Sequence, residues 1–259
     1  MSLKLHAGRA LYLIVLGPAG SGKTTLTAAF GSWLSEVQEA RVAYVNLDPG
    51  ADYLPYEPDV DARDYVTVEE LMRERGLGPN GALVESMRVL YERRAKILER
   101  VSSLEADVVL VDTPGQMELF LFHDAGPAFS RELAKQGAAV ALVLFDSGLA
   151  RSPSHFATLR LMSLVVQLRL DVPTVAALNK GDLETARRAA AWAKDPNLLL
   201  SDLEGEQGVV SELAARLVEL MNAYSVAARV PLVSAKERWG FQELYDLLHE
   251  VWCACGDLT

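Results

Sequence analysis

The sequence predicts a doubly wound α/β fold, with a mainly parallel sheet flanked by helices in three α/β/α layers. Two observations carry that reading. Short runs rich in Val, Leu and Ala recur along the chain, and helix-length segments separate them. Near-continuous apolar runs without alternation suit parallel strands covered on both faces. Regular strand–helix alternation is the pattern of a doubly wound sheet.

The expected strands are Leu11–Leu16, Val42–Leu47, Asp107–Val111, Ala139–Phe145, Val172–Leu178 and Arg229–Val233. The expected helices run over Lys23–Val37, Val68–Arg75, Gly81–Val101, Arg131–Gln136, Ser154–Leu170, Leu183–Trp192, Val209–Tyr224 and Phe241–Cys253. The acidic stretch Asp195–Gly208 reads as a surface loop. All 259 residues are assigned to one domain, 1–259.

One connection stands out. From Val42–Leu47 to Asp107–Val111 the chain runs about sixty residues, well beyond an ordinary strand-to-helix loop. This insertion, about 48–106, opens with acids and turn formers from Asp48 to Asp59. It closes with a helix whose apolar positions are Leu83, Met87, Leu90, Tyr91 and Leu98. Between the halves lies Gly76-Leu77-Gly78-Pro79-Asn80-Gly81.

Composition narrows the function. Thirty-five acids against 25 Lys and Arg give a net charge of −10, which repels nucleic acid, and no basic run exceeds a pair such as Arg93-Arg94. Direct DNA or RNA binding is disfavoured. The start, Met1 to His6, lacks a signal-peptide cleavage pattern, and no apolar run reaches the ~20 residues needed to span a bilayer. The expected location is the cytoplasm, with no membrane association. Cys253 and Cys255 have no neighbouring His or further Cys and read as incidental thiols.

The strongest motif is Gly17-Pro18-Ala19-Gly20-Ser21-Gly22-Lys23-Thr24, followed by Thr25, between the first apolar run and the first helix. Its spacing, G-x-x-x-x-G-K-[ST], is that of a P-loop. Glycines let backbone N–H groups turn inward around a polyphosphate, and the new helix adds its positive end. Lys23 would bridge the outer phosphates and the Thr24 hydroxyl would hold Mg²⁺.

Asp112-Thr113-Pro114-Gly115-Gln116 ends the third run. A carboxylate there is placed to hold Mg²⁺, directly or through water. The Gly115 N–H can reach a terminal phosphate, and hydrolysis would break that hydrogen bond, which makes it usable as a switch. Gln116 and Glu118 follow on the same side, and either could orient an attacking water. Asn179-Lys180-Gly181-Asp182 ends the fifth run. Asp182 can accept from the N1–H and exocyclic amine of guanine, Asn179 can bond the other base edge, and the Lys180 stem can cross the ring. Adenine offers no such pair of donors, so the wrong base leaves an acceptor unpaired. Ser234-Ala235-Lys236 completes a base-binding loop.

In this order the motifs resemble P-loop GTPases. Gly78-Pro79-Asn80 inside the insertion narrows the resemblance to GPN-loop GTPases, over essentially the whole chain. Further support comes from Asn46-Leu47-Asp48-Pro49-Gly50-Ala51 and from Asp112 through Phe120. The family often has alanine where this chain has Gly50. The resemblance implies GTP and GDP as ligands, Mg²⁺ as cofactor, and a homodimer facing itself across the nucleotides. It implies that Asn80 reaches the partner's phosphates in trans, where other GTPases use an arginine. It places Asp48 near Mg²⁺ and the attacking water, with Gln116 and Glu118 helping to place that water. Related dimeric ATPases carry a second lysine at the position occupied here by Pro18. Eukaryotic relatives assist RNA polymerase assembly, which makes a protein client such as RNA polymerase an expectation by resemblance alone.

The reading is therefore an Mg²⁺-dependent GTPase switch. One rival is a P-loop kinase, against which Asn179–Asp182 and Asp112–Gln116 argue. The other is an assembly or chaperone scaffold in which GTP only sets dimer conformation. For that role Phe120-Leu121-Phe122 is the client-binding candidate, though the run reads more readily as core.

Overall fold

The sheet has the strand order β3-β2-β4-β1-β5-β6, and every pairing in it is parallel. These strands are β1 (Leu11–Leu16), β2 (Val42–Asn46), β3 (Val60–Asp61), β4 (Val108–Asp112), β5 (Ala138–Asp146) and β6 (Thr174–Asn179). The computed structural model describes residues 10–206, 208–224 and 229–256, with side chains apart from 222–224 and 253–256. The helices are α1 (Lys23–Val37), α2 (Val68–Arg75), α3 (Pro79–Ser102), α4 (Met117–Phe122) and α5 (Ala125–Gln136). They continue as α6 (Pro153–Leu170), α7 (Ala186–Lys194), α8 (Pro196–Gly205), α9 (Val209–Tyr224) and α10 (Phe241–Gly256). Among the described residues no helix is long and apolar enough to cross a membrane. The thiols of Cys253 and Cys255 lie outside the described side chains.

Why the strands read as unbroken apolar runs is visible in β1. All six of its residues are buried, and they sort alternately between two cores. Leu11, Leu13 and Val15 pack with Leu26 and Phe30 of α1 and with Phe241 and Leu248 of α10. Tyr12, Ile14 and Leu16 face the opposite core with residues of α3, α4, α5 and α6. A strand with helices on both faces has no polar side to alternate with. The sheet thus positions its carboxyl ends, where ligands bind in open α/β folds. The phosphate loop follows β1, while Asp112 closes β4 and Asn179 closes β6. Asp112 pairs with Val15 and Asn46, and Asn179 with Asp146.

Several expectations need correction. Arg229–Val233 is no full strand: Leu232 makes a single parallel bridge to Leu178. Pro231 has no N–H to continue a ladder, so the segment stays at the edge. The sixth strand is instead β3, two residues within the insertion that pair with Val45 and Asn46. The expected loop Asp195–Gly208 contains α8. Asp195 accepts from the Asn197 and Leu198 amides, Pro196 occupies the first turn, and Leu199 and Leu203 are fully buried. Asp-Pro-Asn is as good a helix start as a turn, and the leucines four apart decide it. Further upstream α5 begins at Ala125 rather than Arg131, and α4 was not expected at all.

Candidate functional site

The loop from Gly17 to Gly22 is bent by glycines that no other residue could replace cheaply. Gly22 has φ +90°, and a Cβ there would lie 2.4 Å from Asn179 Nδ2. That bare surface lets Asn179 approach, where Nδ2 donates to the Ser21 carbonyl at 2.9 Å. Helix α1 then starts without a side-chain cap and without an acid in its first turn. Its leading N–H groups therefore remain free donors at the positive end of a helix dipole, which suits a phosphate chain.

Lys23 is buried and folds back over the loop. Its Nζ donates to the carbonyls of Gly17 at 2.9 Å, Pro18 at 3.2 Å and Gly115 at 3.2 Å. Burial pulls its pKa below the ordinary lysine value, while Asp112, Asp48 and Glu118 oppose that drop. Three carbonyls are an interchangeable set of acceptors, so phosphate oxygens can take their place.

Asp112 is fully buried at the end of β4. Its Oδ2 accepts from the Tyr56 hydroxyl at 3.0 Å, and its Oδ1 has no hydrogen-bond partner among the described residues. Burial raises its pKa to about 6, although Thr24, Tyr56 and Lys23 favour the charged form. An orphaned buried carboxylate oxygen beside a threonine hydroxyl fits a hard cation. Among the described residues no group of three acids, histidines or cysteines could hold a metal unaided. Such a sparse set fits Mg²⁺, which keeps phosphate and water as its other ligands.

Asp48 is held by its neighbours. Oδ1 accepts from Gly50 N–H at 2.9 Å and Oδ2 from Gly115 N–H at 3.0 Å. Asn46 fixes the Asp48 backbone, accepting its N–H and donating to its carbonyl, and Asn46 also donates to Asp61. Burial raises the Asp48 pKa, against those two amides and Lys23. Glu118 lies near enough to act electrostatically on Lys23, whereas Gln116 stands at the N-cap position of α4 with its side chain exposed and making no cap hydrogen bond.

The base-binding end is built the same way. Asn179 Oδ1 accepts from the Ala235 N–H at 3.0 Å, so this buried side chain ties the phosphate loop to Ser234-Ala235-Lys236. Both of its ends serve that tie, leaving one amide hydrogen for a base. The Ser234 hydroxyl donates to Asp182 Oδ1 at 2.6 Å and holds that exposed carboxyl below the usual range, keeping it an acceptor. Lys180, at φ +60°, donates to Asp146 Oδ2 at 2.6 Å. Lys236 is exposed and pairs with Glu237.

Asn80 stands apart. It is exposed in the first turn of α3, after Gly78 at the N-cap and Pro79, and no hydrogen bond among the described residues links it to the phosphate loop. Two contributors escaped the motifs, Tyr56 and Asp146, while Asn46 lay within the run Asn46–Ala51 without a role assigned to it. Of the two, Asp146 carried a local signal, as an acid directly ending an apolar run.

This arrangement has counterparts. A family described as conserved hypothetical ATP binding protein matches residues 15–254. GPN-loop GTPase PAB0955 of Pyrococcus abyssi (strain GE5 / Orsay) is 41% identical over 254 residues, covering 96% of this chain and 100% of that protein. GPN-loop GTPase 1 of Dictyostelium discoideum is 31% identical over 236 residues, 90% of this chain but only 59% of that longer relative. The crystal structure of PAB0955, described as a GTPase in apo form, matches with a TM-score of 0.86 and 40% identity. That match covers 95% of this chain and 98% of that chain. With sequence and fold both matching over nearly the whole chain, the chain belongs to the GPN-loop GTPase family.

Proposed function

We propose that this protein binds GTP with Mg²⁺ and hydrolyses it to GDP and phosphate as a homodimeric molecular switch. The observation that carries the reading is Asn179, bonded at once to the phosphate loop and to the base loop. That bracket fixes the distance between a phosphate cradle and the ionised acceptor Asp182. Guanine offers Asp182 two donors and adenine offers none, which favours GTP despite the ATP in the description of the matched family.

The chemistry is in-line attack of water on the terminal phosphate, driven by positioning and charge. Lys23 exchanges loop carbonyls for phosphate oxygens, and the Gly115 N–H exchanges Asp48 for the terminal phosphate. Asp48, so released, together with Gln116 and Glu118, supplies the polar groups that orient the water. Thr24 and Asp112 would hold Mg²⁺, which would supply positive charge to the phosphate chain. Asn80 acts from the other protomer, its amide free to reach across.

A second reading, a GTP-gated scaffold for a client such as RNA polymerase, draws on Phe122. Phe120 and Leu121 are core, but Phe122 is 60% exposed. It lines an apolar cavity of about 380 Å³ with Pro18, Ala19, Met117 and Leu121, so the phosphate loop forms one wall of it. Calorimetry with GTP and ATP in MgCl₂, followed by phosphate release with water as sole acceptor, tests the main reading. Tight GTP binding, weak ATP binding and phosphate release are expected. ATP outcompeting GTP, or a need for a second acceptor, would overturn it.

A further inference from the structure

Tyr56 lies in the insertion between Asp48 and β3, outside every nucleotide motif. Its hydroxyl donates to Asp112 Oδ2 at 3.0 Å. Its ring stacks on Tyr44 of β2, with centroids 4.9 Å apart and planes 20° from parallel. Tyr44 is itself seated against α1: a Cβ on Gly31 would lie 2.3 Å from its hydroxyl oxygen. The helix that starts at the phosphate loop thus supports Tyr44, Tyr44 supports Tyr56, and Tyr56 occupies one oxygen of Asp112. The other oxygen, Oδ1, is buried and unpartnered among the described residues.

We propose that Tyr56 is a positioning residue that fixes the Asp112 carboxylate so that Oδ1 alone is presented to the metal. The inference rests on the Mg²⁺ reading above. A carboxylate can rotate about its Cβ–Cγ bond and offer either oxygen. A phenol donor on Oδ2 removes that freedom, and the stack on Tyr44 removes the freedom of the phenol. Outer partners of this kind commonly orient metal-holding carboxylates and tune ion affinity. Tyr56 comes from the insertion, so it also makes metal affinity depend on how that segment is seated.

The test is calorimetric affinity for a non-hydrolysable GTP analogue in MgCl₂ and in EDTA, for the wild type and Tyr56→Phe, with thermal melts alongside. The variant keeps the ring stack and loses only the hydroxyl. Its magnesium-dependent gain in affinity should fall about tenfold, the scale of one hydrogen bond to a charged group. Its affinity in EDTA and its melting temperature should stay close to wild type. An unchanged gain in Tyr56→Phe overturns the positioning role. So does an equal drop in both conditions with a lowered melt, because that pattern is purely structural. Absence of any magnesium-dependent gain in the wild type overturns the metal reading itself, and this inference with it. Should Tyr56→Phe fold poorly, Tyr44→Leu keeps the hydroxyl but removes its support. It must lower the same ratio, and an unchanged ratio there also overturns the role.

Discussion

Across 67 residues of chain, the Gly115 N–H donates to Asp48 Oδ2 at 3.0 Å, while the Gly115 carbonyl accepts from Lys23. The Gly115 backbone is therefore shared between the acid that would place water and the lysine that would hold phosphate. In the proposed mechanism a terminal phosphate would compete with Asp48 for that N–H, and a diphosphate would lack the competing group. Asp48→Ala should leave GDP affinity within about threefold and slow turnover by ~10²-fold, the usual scale for a positioned acid or base. Steady-state phosphate release and GDP calorimetry check this. A variant with unchanged turnover removes Asp48 from the mechanism.

Asp112 ties function to a loss of stability. Burial raises its pKa from the ordinary 3.8 to about 6, so within that window the folded chain holds a proton that the unfolded chain has released. Stability is then highest below pH 4 for this group and falls as pH rises through 6. The span corresponds to at most about 3 kcal/mol. Asp48, also raised by burial, acts in the same direction. In EDTA at neutral pH, Asp112→Asn should melt higher than wild type, with a flatter pH dependence between 4 and 7, yet lose its response to Mg²⁺. Melting curves across that range decide it, and a lower melt for the variant contradicts the assigned charge burial.

Gly22 and Gly50 should behave oppositely when changed to alanine. At Gly22 the left-handed backbone and Asn179 both oppose a Cβ, so Gly22→Ala should disrupt the tie to Ser21 and weaken nucleotide binding at least ~10-fold. At Gly50 a Cβ would sit 3.4 Å from Asp48 Oδ1 and Val68 Cγ2, ordinary contact distances. Gly50→Ala should raise stability by about 0.4–1 kcal/mol by restricting the unfolded chain. Nucleotide calorimetry on the first variant and denaturant titration of the second measure this contrast.

In the proposed reading, base choice rests on the Asp182 carboxylate. Asp182→Ala removes the acceptor for two guanine donors, and GTP affinity should fall by ~10²-fold or more while ATP affinity hardly moves. Competition between the two nucleotides reads the ratio directly. Retained preference for GTP would mean that the Ser234–Lys236 backbone, not Asp182, reads the base.

The sheet and the motif ends were legible because their signals are local. Leu11–Leu16 runs straight into Gly17–Thr24, and Asp112 and Asn179 each end an apolar run. What escaped was the pairing of distant segments: Tyr56 with Asp112 is a separation of 56 residues, and Asn179 with Ser21 one of 158. No window of sequence contains both partners. Asp195-Pro196-Asn197 failed for a different reason, since its residues favour a turn and a helix start alike. Val60-Asp61 is too short for any periodicity, and only the open edge of β2 makes it a strand.

Asn80 gives the proposed dimer its most demanding test. Its amide has no hydrogen-bond partner among the described residues, at the exposed start of α3, whereas Lys23 is bound within its own loop. If Asn80 serves the partner's site, Asn80→Ala and Lys23→Ala should each be nearly inactive alone. A protomer carrying Asn80→Ala keeps its own Lys23, and beside a Lys23→Ala protomer it receives an intact Asn80. Such a hybrid has one complete site. Random pairing makes half of the dimers hybrids with one working site of two, so mixing should restore about a quarter of wild-type turnover. Recovery should follow the rate of subunit exchange and vanish if the dimers are cross-linked before mixing. Two inactive variants that stay inactive after full exchange would place Asn80 outside the partner's site. If Asn80→Ala alone turned over normally, the loop would have no part in hydrolysis.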